Sequence, residues 1–285
     1  MDSFAANPKK SFHIRSNSLP QKPHPVLDQV DEHLCRLKAS EAISSSSLSQ
    51  KLDGLHDLHD SIDKLLCLPS THQALVDNKS VDDLLEGSIK LLDVCSLAKD
   101  VLSQMKECAH ELESALRRTR GDDIEVDIQK YFNSRKMMNK AIHKVLKGME
   151  RTSYENGDES SEIVRLLNDA EVVTYNSIGS FLSFIAGQKL SSKMSRWSLV
   201  SKLMHPKRVA CKDVGANRNE VEVVDAALYS IINQKSDVLV QVKDAQNSLR
   251  KLESCIHDLE QDLESLYRHL IKNRVSFLNI LNYYG

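Results

Sequence analysis

Residues 249–270 read LRKLESCIHDLEQDLESLYRHL, with apolar letters at Leu249, Leu252, Ile256, Leu259, Leu263, Leu266 and Leu270. Steps of three and four put these side chains on one stripe of an α-helix, a pattern that a strand with its period of two does not produce. The step continues outward on both sides. Upstream it passes through Ala245, Val242 and Val238 to Ile231, Leu228, Val224 and Val221, and downstream it reaches Phe277, Ile280 and Tyr284. Only Lys235 and Asn273 interrupt the seam, and no Gly or Pro lies within it. Read as one helix, Val221 to Tyr284 is a rod of roughly 95 Å.

Such a rod pairs either with a copy of itself or with other helices of its own chain. In a parallel dimer the flanking e and g positions carry complementary charges. With Val221 as an a position, the g residues include Ala227, Gln234, Gln241 and Ser248, and no g residue faces an opposite charge five positions on. The e residues Ile232, Leu239, Tyr267 and Leu281 widen the stripe, as a helix among several neighbours requires. The pattern favours an intramolecular bundle and a monomer over a homodimeric coiled coil, with Lys235 marking a kink or the point where the rod leaves the bundle.

The rest of the chain supplies the neighbours. Four of the six prolines, Pro8, Pro20, Pro23 and Pro25, fall with Lys9, Lys10, Arg15 and Lys22 in a polar leader, so residues 1–24 read as a disordered basic tail and folding begins near Pro25. Leu27, Val30, Leu34 and Leu37 mark a first short helix, and Leu48, Leu52, Leu55, Ile62 and Leu66 a second that Pro69 stops. Ser80 and Asp83 resemble a capping box opening a long helix through Leu84, Leu91, Cys95, Leu102 and Leu116 to a cap at Gly121. Ile124 to Met149 and Ser161 to Ala186 show helical spacing, the latter closed by Gly187. Asn217 and Glu220 supply a cap and its partner for the last helix. No segment alternates with period two. The expected fold is all-α, an elongated multi-helix bundle over residues 25–285 with a very long C-terminal helix, and a basic linker at 187–216.

Composition bounds the function. The 285 residues are 41% hydrophobic and 27% charged, yet the net charge is -2, so no field of the whole protein points to nucleic acid. Cys35, Cys67, Cys95, Cys108, Cys211 and Cys255 show no C-x-x-C spacing, which favours reduced thiols in a cytoplasmic setting over a disulfide framework or a zinc site. The most apolar stretch, Ile178 to Ala186, is too short to cross a bilayer. There is no Gly-rich phosphate loop, no G-x-S-x-G and no H-E-x-x-H, so neither a catalytic residue nor a cofactor is expected.

Three constellations remain. Asp53, His56, Asp57, His59, Asp60 and Asp63 crowd one helical stretch; a pair three apart can meet a metal, but a solvated charged face opposite Leu52, Leu55 and Ile62 produces the same letters, and that reading is preferred. Lys189 to Lys212 holds seven basic residues and no acid, together with Trp197, the only tryptophan. Lys193, Arg196, Trp197, Lys202 and Leu203 are the candidate contacts for an anionic membrane or a calmodulin-type groove, although a crossover between helices, its apolar side on the bundle and its lysines facing water, is the preferred reading of the segment taken by itself. In the tail, Arg15 stands three before Ser18 and Pro20 two after it, the pattern of a basophilic phosphosite read by a 14-3-3 protein.

Phe12 to Pro20 with Pro23, His24 and Pro25, Trp197 to Met204, and Arg274 to Leu281 resemble the plant-specific BYPASS-like family over nearly the whole chain. The resemblance implies an all-helical protein without a known reaction, linked to root and shoot development, with some members chloroplastic. It supplies no catalytic residues. The reading is therefore a non-catalytic helical regulator or scaffold whose tail and linker contact protein partners, the alternative being a peripheral membrane or calmodulin-binding protein acting through the linker.

Overall fold

The computed structural model describes residues 24–40, 45–77, 81–118, 124–149, 161–187, 219–233 and 238–284. Among these residues there are eight α-helices and no strand: α1 (Pro25–Ala39), α2 (Ser45–Leu66), α3 (Pro69–Asp77), α4 (Val81–Arg118), α5 (Ile124–Met149), α6 (Glu162–Ile185), α7 (Glu220–Asn233) and α8 (Val238–Tyr284). At 47 residues, α8 is about 70 Å long and serves as the axis.

Most of the packing on that axis comes from α4, α2 and α7, with a smaller contact from α3. The directions follow from paired side chains. Lys106 meets Glu260, Lys99 meets Glu264, and Arg274 reaches Leu85, so α4 runs antiparallel to α8. Ser49 bonds Asp262 and His59 bonds Asn273, so α2 runs parallel to it. A second layer is formed by α1 and α6 over α2 and by α5 and α6 over α4. Ala245, Leu249, Leu252, Ile256, Leu259, Leu263, Leu266 and Leu270 are each at most 2% exposed. The seam of α8 is thus buried within its own chain, each Leu or Ile contributing on the order of 1.5–3 kcal/mol by transfer from water.

The rod itself is not continuous. Val221, Val224 and Leu228 are fully buried, but in α7, a separate helix packed against α8. Glu220 at its start borders a groove with Lys251, Ser254 and Asp258, far along α8, so the two helices form an antiparallel hairpin. Periodicity concealed this, because the polar residues 234–237 are the length that keeps Ile231 and Val238 one heptad apart. Lys235, the interruption of the seam expected to mark a kink or a departure from the bundle, lies outside the described residues. The apolar e positions are used unequally. Tyr267 lies under the Lys99 ammonium, whose nitrogen is 4.4 Å from the ring centroid, whereas Leu239 is 86% exposed.

Local signals account for most helix ends. Pro25 occupies the first turn of α1, where its missing N–H costs nothing, and His24 Nδ1 accepts from Val26 N–H at 3.3 Å. Ser161 caps α6. Gly187 ends that helix with φ of 70°, the left-handed conformation that glycine adopts without a Cβ clash. Pro69 does more than stop α2, since it begins α3, whose Leu75 and Thr71 are fully buried. Nine residues carry too short a pattern to be seen by periodicity. At 22 residues α2 is also longer than the short helix expected there. Ser80, Gly121 and Asn217 lie outside the described residues; the cap within them is Asn219, whose Oδ1 accepts from Val221 N–H at 2.9 Å.

Candidate functional site

The tail residues Arg15, Ser18 and Pro20 and the linker residues Lys193, Arg196, Trp197, Lys202 and Leu203 lie outside the described residues. What the structure defines is the corner where the linker is attached. Asn219 Nδ2 donates to the carbonyl oxygen of Phe184 at 2.6 Å, binding the start of α7 to the end of α6. From α5, Arg135, only 4% exposed, donates to the carbonyl of Ile185 at 2.9 Å and faces Asp225 of α7 at 3.7 Å. A guanidinium at the C-terminal end of α6 complements the helix dipole. Burial raises the Asp225 carboxyl above the usual range even though the Arg135 charge opposes the shift. The chain therefore leaves and rejoins the bundle at one point.

The His/Asp constellation on α2 requires a correction. Asp53, Asp57 and Asp60 are exposed, as a solvated face requires, but His59 and Asp63 are buried at 3% and 6% exposure. The cause is that α2 is packed on three sides, by α1, α6 and α8, so its buried arc is wider than one stripe. His59 makes a directed chain of hydrogen bonds. Asn273 Nδ2 donates to Nδ1 of His59 at 2.7 Å, Nε2 donates to Thr174 Oγ1 at 3.0 Å, and that hydroxyl donates to the carbonyl of Ala170 at 2.7 Å. Burial, assisted by the charges of His269 and His56, lowers the His59 pKa to about 3. The ring is neutral, with both nitrogens engaged in hydrogen bonds.

Beside it, Asp63 Oδ2 is 2.9 Å from Lys272 Nζ and 3.4 Å from His269 Nδ1. Its carboxylate in turn raises the Lys272 pKa by hydrogen bonding and charge. His56 Nε2 meets the carbonyl of Asp262 at 2.8 Å. On the other flank Arg274 donates to Leu85 O at 2.7 Å and to Ser88 Oγ at 2.8 Å. A cavity of about 30 Å³ lies among His59, Ser88, Glu171, Asn273, Leu84 and Phe277, room for a water or two. This polar centre joins α2, α4, α6 and α8. In the sequence it is signalled by Asn273, the polar residue breaking an otherwise apolar seam, beside the His59 and Asp63 letters that read as a solvated face.

Among the described residues no helix is long and apolar enough to cross a membrane. Burial pushes the Cys95 thiol up to about 12, which makes it inert, while Cys35 and Cys67 are exposed. No curated protein and no solved structure matches the chain. The family described as Protein BPS1 has a model that matches residues 51–280, from the second turn of α2 to Ile280 of the α8 seam, a span that takes in the linker motif and nearly all of the C-terminal motif that carry the resemblance and begins after the tail motif. By that match, which takes in the linker's attachment corner and the polar centre alike, the chain belongs to the Protein BPS1 family.

Proposed function

We infer that the protein is a non-catalytic helical scaffold or regulator, acting in plant development as the family resemblance implies, and that its basic linker is a partner-binding element. The observation that carries this is the attachment corner. A side-chain hydrogen bond already joins residues 184 and 219, so a few residues would suffice to connect α6 to α7. The chain uses 31, residues 188–218. Connections beyond about 12–15 residues are uncommon in compact domains and usually serve function. A crossover between distant helices is not needed here. The basic and apolar content of this segment, with Trp197, suits an acidic helical groove of calmodulin type. The tail, through Arg15, Ser18 and Pro20, adds a phosphorylation-dependent 14-3-3 contact.

The test uses the full chain and a variant with Lys193→Glu, Arg196→Glu and Lys202→Glu. Trp197 fluorescence reports binding to calmodulin and, in a separate arm, to vesicles containing anionic lipid. Loss of calmodulin binding in the variant, at unchanged helix content, supports the reading. Vesicle binding alone would replace it with a peripheral membrane role, and binding of neither by the parent chain would return the segment to a plain connection.

A further inference from the structure

Toward the other end of the α4–α8 pair, three side chains with metal-ligating atoms converge. One turn of α4 places His110 and Glu113 on the same face, three residues apart, and α8 brings Glu253 against them. His110 Nδ1 is 3.7 Å from Glu253 Oε1. One ligating atom from each of the three side chains lies within 4.8 Å of the others. The set is one imidazole and two carboxylates.

The two carboxylates are in opposite conditions. Glu113 is 5% exposed, and its Oε1 accepts from Arg117 Nη2 at 2.6 Å and Arg250 Nε at 2.9 Å. Both arginines bind the same oxygen, which leaves Oε2 for another partner. Both are also more than half exposed, with side-chain values of 56% and 53%, so water screens their charge. They hold the carboxylate from outside, as the outer partners of metal-bound carboxylates do. Glu253 has no such support. Its Oε1 is buried and receives no hydrogen bond. A buried oxygen with no donor, facing a second carboxylate, is costly unless a cation or proton lies between them.

We propose that His110, Glu113 and Glu253 form a site for a divalent transition ion of the zinc type, bound by the imidazole and one oxygen of each carboxylate, with water completing a tetrahedron. The donor set discriminates among metals. An imidazole with two carboxylates suits Zn²⁺ or Co²⁺, whereas Ca²⁺ requires six or more oxygens. The ion has a route in, because His110 is 76% exposed and borders a groove of about 340 Å³ between α4 and α5. Once bound, it cross-links α4 to α8 along the stretch where α8 also packs on α7.

Zn²⁺ titration of the full chain by calorimetry, and Co²⁺ titration by visible absorption, test the site. The expected result is one ion per chain, a dissociation constant on the order of micromolar, and a tetrahedral Co²⁺ spectrum. His110→Ala and Glu253→Gln should each weaken binding at least tenfold at unchanged helix content. Glu253→Gln keeps the side chain's size and removes only its charge, so misfolding does not confound it. Zinc should also raise the melting temperature of the parent chain and not that of the variants. Absence of binding in the parent, or binding of equal strength in both variants, overturns the proposal.

Discussion

From Ala245 to Ile256 the face of α8 toward α7 is a row of aliphatic side chains, with Val221, Val224 and Leu228 fully buried on the α7 side, while Gln246, Arg250 and Glu253 reach α4; from Asp262 to Arg274 α8 meets α2 and α4 through the same kind of row plus a buried polar centre of His59, Asp63, Ser88 and Asn273. Apolar rows repeat every turn, so sliding one helix by a heptad restores most of the contacts. The Asn273–His59–Thr174 chain cannot slide, because moving α2 by one turn separates donor from acceptor and leaves both buried. Burial thus drives the helices together everywhere along α8, while the polar centre sets which turn of α2 faces which turn of α8.

The largest effect distinguishing the two regions should come from their apolar rows. Leu263→Ala, at a fully buried position packed among several helices, should lower unfolding free energy by about 3 kcal/mol or more. Leu228→Ala lies on α7, which packs mainly on α8, so collapse around the cavity is easier there and the change should cost less, about 2 kcal/mol. Chemical denaturation of both variants measures the difference, and equal costs would remove the distinction.

Replacing one member of the polar chain sharpens the comparison. Asn273→Leu leaves His59 Nδ1 buried without a donor and should cost about 1–3 kcal/mol. Adding His59→Leu removes the orphaned ring, while Thr174 keeps its bond to Ala170, so the double variant should be more stable than Asn273→Leu alone. A double variant whose cost equals the sum of the two single ones would show that the residues act separately.

A further difference appears in the pH profile. His59 has its folded pKa lowered from 6.5 to about 3, so below 6.5 the unfolded chain takes up a proton that the folded chain refuses. Stability contributed by the neutral ring is present above pH 6.5 and is lost as pH falls toward 3. The loss has a slope of up to about 1.4 kcal/mol per pH unit, or about 2 kcal/mol between pH 7 and 5. The doubly substituted variant, lacking this imidazole, should show a flatter profile over that interval, and parallel profiles would contradict the assignment.

Much of the architecture was legible because periodicity is a property of a single segment. The apolar steps of α4, α5, α6 and α8 name the faces that are buried, Pro25 and Gly187 place two helix ends, and Asn273 marks the seam where a polar partner is required. The reversal between α7 and α8 was not legible. A heptad is satisfied equally by a rod and by a hairpin whose turn keeps register, and only the competing burial of Val221, Val224 and Leu228 against α8 decides between them. His59 and Asp63 were misread for a related reason. Their letters suit a solvated face, and what buries them is the packing of α1, α6 and α8 around α2, which depends on partners hundreds of residues apart in sequence or on other helices altogether. The amino-acid order settles which residues avoid water, and the tertiary structure settles which of them meet, because pairing is a choice among several surfaces of similar hydrophobicity that hydrogen-bond geometry resolves.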